Sequence, residues 1–121
     1  MKKELNVISP QTAEYIRLLG IRWKPAAWWK ANSRGGYRLV EKVSPYERNV
    51  YAAYNMSELG HLIPDEFFNQ MKIIKVLTHF KLQLGDKFET YSSEVEARGK
   101  YLIWLIATSK AKVEELKCKK D

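Results

Sequence analysis

The sequence predicts a single α+β domain in the order α-β-β-α-β-β-α, with two hairpins forming one antiparallel sheet packed against helices. Three observations carry this prediction. Two stretches rich in β-favouring residues are each interrupted by turn formers, at residues 27–43 and 74–91. Two segments with helical spacing lie near the two ends of the chain, and each follows a serine suited to cap it. The 121 residues show no repeat, low-complexity tract or linker. A chain of that length buries about two-thirds of its unfolded surface, enough for one core without a disulfide or metal staple.

The first helix opens at Ser9-Pro10. The serine hydroxyl can cap an orphan N–H, and proline suits the first helical position because its missing N–H would be unpaired there. Ala13, Ile16 and Leu19 follow helical spacing, with Thr12 and Tyr15 beside them. Gly20 is placed to end the helix in the left-handed conformation, with Ile21 positioned for the accompanying hydrophobic contact. Beyond Pro25, "AAWWKA" and "YRLVEKV" flank "NSRGG", which predicts a hairpin with strands near Ala27–Ala31 and Tyr37–Val43. Neighbouring side chains of a strand point to opposite faces. Trp28 and Trp29 therefore cannot enter the same core.

Ser57 is expected to cap a short helix, "SELGHLI", stopped by Pro64, with a further turn at Asp65–Asn69. Residues 74–84 read as one long strand, because Ile74, Val76, Thr78, Phe80, Leu82 and Leu84 alternate with Lys75, Leu77, His79, Lys81 and Gln83. Gly85-Asp86 supplies a two-residue turn, and "KFETY" returns as the partner strand. Ser93 and Glu96 have the spacing of a capping box before the last helix. On a helical wheel, Val95, Gly99, Leu102, Leu105, Ile106, Ser109 and Val113 fall on one side. Trp104 falls opposite, with Tyr101 and Ile103 on the flanks. Gly99 costs about 1 kcal/mol of helix stability relative to alanine, which predicts close approach of this helix to the sheet.

Two segments resemble a known group. "YAAYNMSELGHLIPDEF" (51–67) contributes Ser57, Glu58, Leu59, Ile63 and Pro64. "FETYSSEVEARGKYLIWLIATSK" (88–110) contributes Glu96, Ala97, Arg98, Lys100, Leu102, Ile103, Leu105 and Ile106, with Gly99 where alanine is usual. These segments resemble small uncharacterised proteins encoded by prophages and mobile elements of anaerobic gut bacteria. The likeness covers about a third of the chain and leaves out the tryptophan-rich first half. It implies an accessory role and carries over no catalytic residue.

Composition limits the function classes. The net charge of +7 is concentrated early: residues 1–50 hold ten Lys/Arg against four Asp/Glu. Such a balance favours polyanions and acidic surfaces. The single cysteine, Cys118 in "ELKCKKD", fits a reducing compartment and is not a prenylation box. The N-terminus lacks a signal-peptide pattern, and the longest apolar run, Tyr101–Ala107, is far short of the about 20 residues that span a bilayer. A cytoplasmic protein without a membrane partner is expected. His61, His79 and Cys118 show no metal-ligand spacing, so no metal or other cofactor is expected. There is no nucleophile elbow, and "SRGGYR" lacks phosphate-loop spacing. The acidic pairs Asp65/Glu66 and Glu94/Glu96 sit at helix starts, where the helix dipole accounts for them. The reading is therefore non-enzymatic.

Arg98 falls on the core side of the last helix and must snorkel or find a carboxylate there, with Glu58 and Glu89 as candidates for a structural ion pair and an anion or partner contact as the functional alternative. The tryptophans admit two principal functional readings. In one, Trp23, Trp28, Trp29 and Trp104 form an interaction surface for a protein partner or for a second copy of the chain, since a terminal helix with Trp104 opposite its apolar stripe needs a second cover, whether the first helix, the 51–70 segment or another copy. In the other, an exposed indole joins Arg22, Lys24, Lys30, Arg34 and Arg38 to bind nucleic acid by stacking and phosphate neutralisation. A small-molecule pocket is a third, lesser option. The expectation is an accessory protein acting through protein contact, with nucleic-acid binding as the alternative.

Overall fold

The computed structural model describes residues 6–21, 23–44, 47–108 and 110. Helix α1 spans Pro10–Leu18. Strands β1 (Trp28–Ala31), β2 (Tyr37–Val40) and β3 (Val50–Ala52) follow. Next come helix α2 (Met56–Leu62) and a single turn, α3 (Asp65–Phe68). Strands β4 (Ile73–Val76), β5 (His79–Leu84) and β6 (Lys87–Tyr91) lead to helix α4 (Glu94–Ala107). The class is α+β, as expected. The hairpins do not merge into one sheet, however. Each recruits a third strand, giving two antiparallel three-stranded sheets ordered β2-β1-β3 and β4-β5-β6. Strand β3 has no counterpart in the sequence reading.

Helix α1 behaves as its sequence dictates. The Ser9 hydroxyl accepts from the Thr12 N–H. At the other end Gly20 takes φ +93°, with Ile21 N–H donating to Ile16 O and Gly20 N–H to Arg17 O. That is a Schellman closure.

Helix α2 is capped by Asn55 rather than Ser57. The Asn55 side chain accepts from the Glu58 N–H at 2.8 Å, and Glu58 accepts from the Asn55 N–H at 2.9 Å. Asn55 has a glutamate three positions on and Ser57 does not, so only Asn55 can close the reciprocal box.

The stretch 74–84 is not one strand. Leu77 and Thr78 form a tight turn between β4 and β5, pairing Val76 with His79 and Ile74 with Lys81. The fold-back puts Ile74 on the same face as Lys81, away from Leu82. Leu82 is fully buried and Ile74 is exposed. Leu77 pays for the turn with φ +53°, a conformation normally left to glycine, and its side chain is 88% exposed.

Helix α4 is the centre of the molecule. It packs against α1, α2, β5 and β6, so its buried residues (Val95, Ala97, Gly99, Tyr101, Leu102, Ile103 and Leu105) go most of the way round. The single stripe expected from the wheel is therefore too narrow. Ile106 is only half-buried, and Ser109 and Val113 lie outside the described residues. Gly99 does allow a close approach, but to α1 and the segment before it instead of the sheet. A Cβ at Gly99 would sit 2.7 Å from Ile8 Cγ2 and 3.2 Å from Thr12 Cγ2.

The Ser93–Glu96 box is only half formed. Ser93 accepts from the Glu96 N–H at 3.2 Å, but the Glu96 carboxylate turns to α1. There it accepts from the Ser9 N–H (2.8 Å), the Ser9 hydroxyl (2.9 Å) and the buried Thr12 hydroxyl (2.5 Å). One carboxylate thus ties together the start of the first helix and the start of the last.

Candidate interaction site around Trp28

The two adjacent indoles part company as alternation requires. Trp29 is buried, and its Nε1–H donates to the Ile8 carbonyl at 2.7 Å, which satisfies the one polar atom of the ring. Trp28 is half-buried on the opposite face of the sheet and stands outside the main core. Directly opposed residues of antiparallel strands share a face. Trp28 pairs with Val40 and Ala52, and Lys30 with Arg38 and Val50, so these six residues form one face.

That face borders an open cavity of about 470 Å³. Its aliphatic wall is Ala13 and Ile16 of α1, Ile21, Val43, Val50 and Ala52. Trp23, Trp28 and Tyr54 form the aromatic wall, and Arg17, Lys24, Ser44 and Glu47 supply the polar groups. Trp23 is held in place rather than free. Its ring lies 6.0 Å from Tyr54 and 6.5 Å from His61, and its carbonyl accepts from the Tyr54 hydroxyl at 2.5 Å.

Most charges at this site already have partners. Arg17 donates to the Arg48 and Val50 carbonyls (2.8 and 3.0 Å) and lies over the Tyr51 ring. Lys30 pairs with Glu47 at 3.1 Å. The Glu47 carboxyl is held below its ordinary pKa, first by the Ser44 N–H and then by Lys30. Lys24 is exposed on the cavity wall. Arg38 is exposed across the ladder from Lys30, and Arg34 is exposed in the hairpin turn. Arg22 and Cys118 lie outside the described residues.

The structure does not gather all the expected site residues in one place. Trp104 belongs to a separate depression of about 500 Å³, lined also by Lys72, Gln83, Gly85 and Tyr101. Its ring stacks on Tyr101 at 5.9 Å and carries the Lys110 ammonium 5.4 Å from its centroid. The chain's own α1, α2 and second sheet pack against α4, and Trp104 itself is half-buried. Arg98 forms its ion pair with Glu94, one turn earlier, at 2.7 Å. Glu58 is instead engaged by the Asn55 and Ala26 N–H groups, and Glu89 by the Tyr91 hydroxyl.

The sequence reading missed Tyr54, Val43 and Glu47. Tyr54 is fully buried and lines the cavity. The only local signal was the β-favouring triplet "VYA" just before it. Among the described residues, no three His, Cys, Asp or Glu side chains gather to hold a metal ion, and no helix is long and apolar enough to cross a membrane. Comparison of the chain with protein-family models, curated proteins and solved structures returns no match.

Proposed function

We propose that the protein is a non-catalytic binding module that engages another protein through the Trp28 cavity. The supporting observation is the position of Trp28. It is a large indole left outside the main core, in an open apolar depression beside a second tryptophan that is fixed in place. Half-buried aromatic side chains in such depressions are the usual energetic centres of protein contacts. The resemblance in residues 51–67 and 88–110 extends the proposal to an accessory role in a prophage or mobile element. The lone cysteine favours the cytoplasm.

A displayed random-peptide library selected on the wild-type protein and on Trp28→Ala tests the proposal. Peptides that bind the wild type and lose at least about tenfold in affinity on the variant are expected. A selection that enriches nothing dependent on Trp28 would refute it.

A second reading is favoured by one observation: Trp28, Lys30 and Arg38 share a sheet face. We propose nucleic-acid binding there as the alternative. It predicts that single-stranded oligonucleotides quench tryptophan fluorescence, that Arg38→Glu weakens them and that affinity falls steeply with salt. Flat titrations would remove it. Self-association is a separate matter, and sedimentation over a range of concentrations decides it.

A further inference from the structure

We infer that the occupant of the Trp28 cavity is an acidic segment of its partner, with an apolar side chain seated against Trp23 and Trp28 and a carboxylate facing Lys24. This rests on the reading of the cavity as a protein contact and adds the chemistry of the partner. Three charged side chains line the cavity, and two of them are engaged. The Arg17 guanidinium is held by two backbone carbonyls and the Tyr51 ring. Glu47 accepts from the Ser44 N–H at 2.9 Å and pairs with Lys30. Lys24 makes no hydrogen bond or ion pair with any described residue. An apolar depression with one uncommitted cation on its wall selects a guest that is apolar in body and anionic at one end.

Two further exposed cations lie on the same hairpin. Arg38 lies on the Trp28 face, and Arg34 is exposed at the end of the same hairpin. A basic segment would meet these cations as like charges. A nucleic acid would satisfy them too, but the aliphatic residues in the walls offer nothing to a base edge. Trp28 also sits within the depression rather than on an open platform for stacked bases.

The test uses two synthetic peptides that share the apolar core recovered by the selection, one flanked by glutamates and the other by lysines. Each is titrated at low and high salt into the wild type, Lys24→Glu, Trp28→Ala and Trp28→Phe, with a single-stranded oligonucleotide as competitor. The glutamate peptide should bind the wild type about tenfold or more tightly than the lysine peptide, lose that advantage at high salt, and lose or reverse it on Lys24→Glu. Trp28→Phe, which keeps an aromatic wall, guards against a folding defect in the alanine variant. Equal binding of both peptides through Trp28, or a preference unchanged by Lys24→Glu, would overturn the inference and leave the protein-contact reading standing. Failure of both peptides to bind would overturn that reading as well. Full displacement by the oligonucleotide, with the same dependence on Trp28 and Lys24, would replace both with nucleic-acid binding.

Discussion

The two sheets are built to the same plan and used differently. Each is a three-stranded antiparallel sheet with its middle strand earliest or central in the ladder, and each sends one residue of that strand into the core, Trp29 from β1 and Leu82 from β5. The first sheet turns on glycine: Gly35 takes φ +83°, and the Asn32 side chain accepts from the Arg34 and Gly36 N–H groups. The first turn of the second sheet rests on Leu77, which carries the strain itself, and its other turn on Gly85 at φ +64°. Behind the first sheet lies the Trp28 cavity. The other face of the second sheet is a mixed surface of Ile74, Lys81, Phe88 and Thr90, with Ile74 and Phe88 more than half exposed. The difference is one of enclosure: neighbouring elements wall in Trp28, while Ile74 and Phe88 lie on an open sheet face. Ile74 and Phe88 are large and exposed, and neither lines the Trp28 cavity or the Trp104 depression.

The sharpest way to break this comparison is at the two indoles. Trp29→Ala should cost about 3–5 kcal/mol, as a buried large-to-small change that also strands the Ile8 carbonyl. Trp28→Ala, on the cavity side, should cost about 1 kcal/mol or less, because its ring stands outside the core. Denaturant unfolding of both variants measures this. Comparable losses would mean that Trp28 is a core residue and the cavity a packing defect.

Next in size is the carboxylate that joins the first and last helices. Glu96→Ala should destabilise by about 2–3 kcal/mol, since the Ser9 and Thr12 donors lose a charged acceptor in a partly buried place. It should act on the whole molecule, because α4 packs against α1 as well as the second sheet. A shift within about 0.5 kcal/mol, the range of an ordinary surface change, would contradict the tie.

A smaller effect of opposite sign is expected at the second sheet's first turn. Leu77→Gly should stabilise by about 1 kcal/mol, because relief of the left-handed leucine outweighs the backbone entropy that glycine adds. The matching change in the first sheet, Gly35→Ala, should destabilise by about 1 kcal/mol. It forces a Cβ into the same region, although nothing crowds the space around it. Thermal melts of the two variants should therefore move in opposite directions.

The smallest effects concern pH, and again the sheets differ. Burial, followed by the hydrogen bond to Glu89, pushes the Tyr91 hydroxyl of β6 well above its ordinary value. Burial also raises Tyr101, and burial with Glu14 raises Tyr51 in β3. A raised folded-state pKa means stability that is present below the unfolded value of about 10 and lost as pH climbs through the folded value. Melting temperature should fall above about pH 10, less steeply in Tyr91→Phe than in Tyr51→Phe. On the acid side the Glu47 carboxyl, beside the first sheet, is held below its ordinary value. Its contribution is present above the ordinary carboxylate pKa and fades as pH falls through the depressed one. Following the Glu47 carboxyl resonance through an acid titration checks this: its midpoint should lie below that of an unperturbed glutamate.

Several features were legible in the residues because they are local. Ser9-Pro10 and Gly20 mark both ends of α1, Gly85 marks the β5–β6 turn, and alternation at Trp28 and Trp29 separates the two rings. Asn55 was legible too, through Glu58 three positions later, although Ser57 drew the reading away. The break at Leu77-Thr78 was not. Neither residue favours a turn, and the alternation runs on through them, so only the pairing of β4 with β5 decides that Ile74 faces solvent. The same holds for Glu96, whose spacing from Ser93 fits a local box while its carboxylate serves a helix more than eighty residues away in sequence.

By itself, then, the sequence determined the α+β class, the helix boundaries set by caps, and the parting of the two indoles. Each of these follows from backbone geometry and near neighbours. Tertiary structure alone decided that α4 would be enclosed by its own chain, with Trp104 left half-buried in a separate depression, and that α1, β1, β3 and Glu47 would converge around Trp28. Those outcomes depend on contacts between segments distant in sequence. Such contacts form where burying apolar area outweighs the entropy of closing long loops, a balance that no local pattern records.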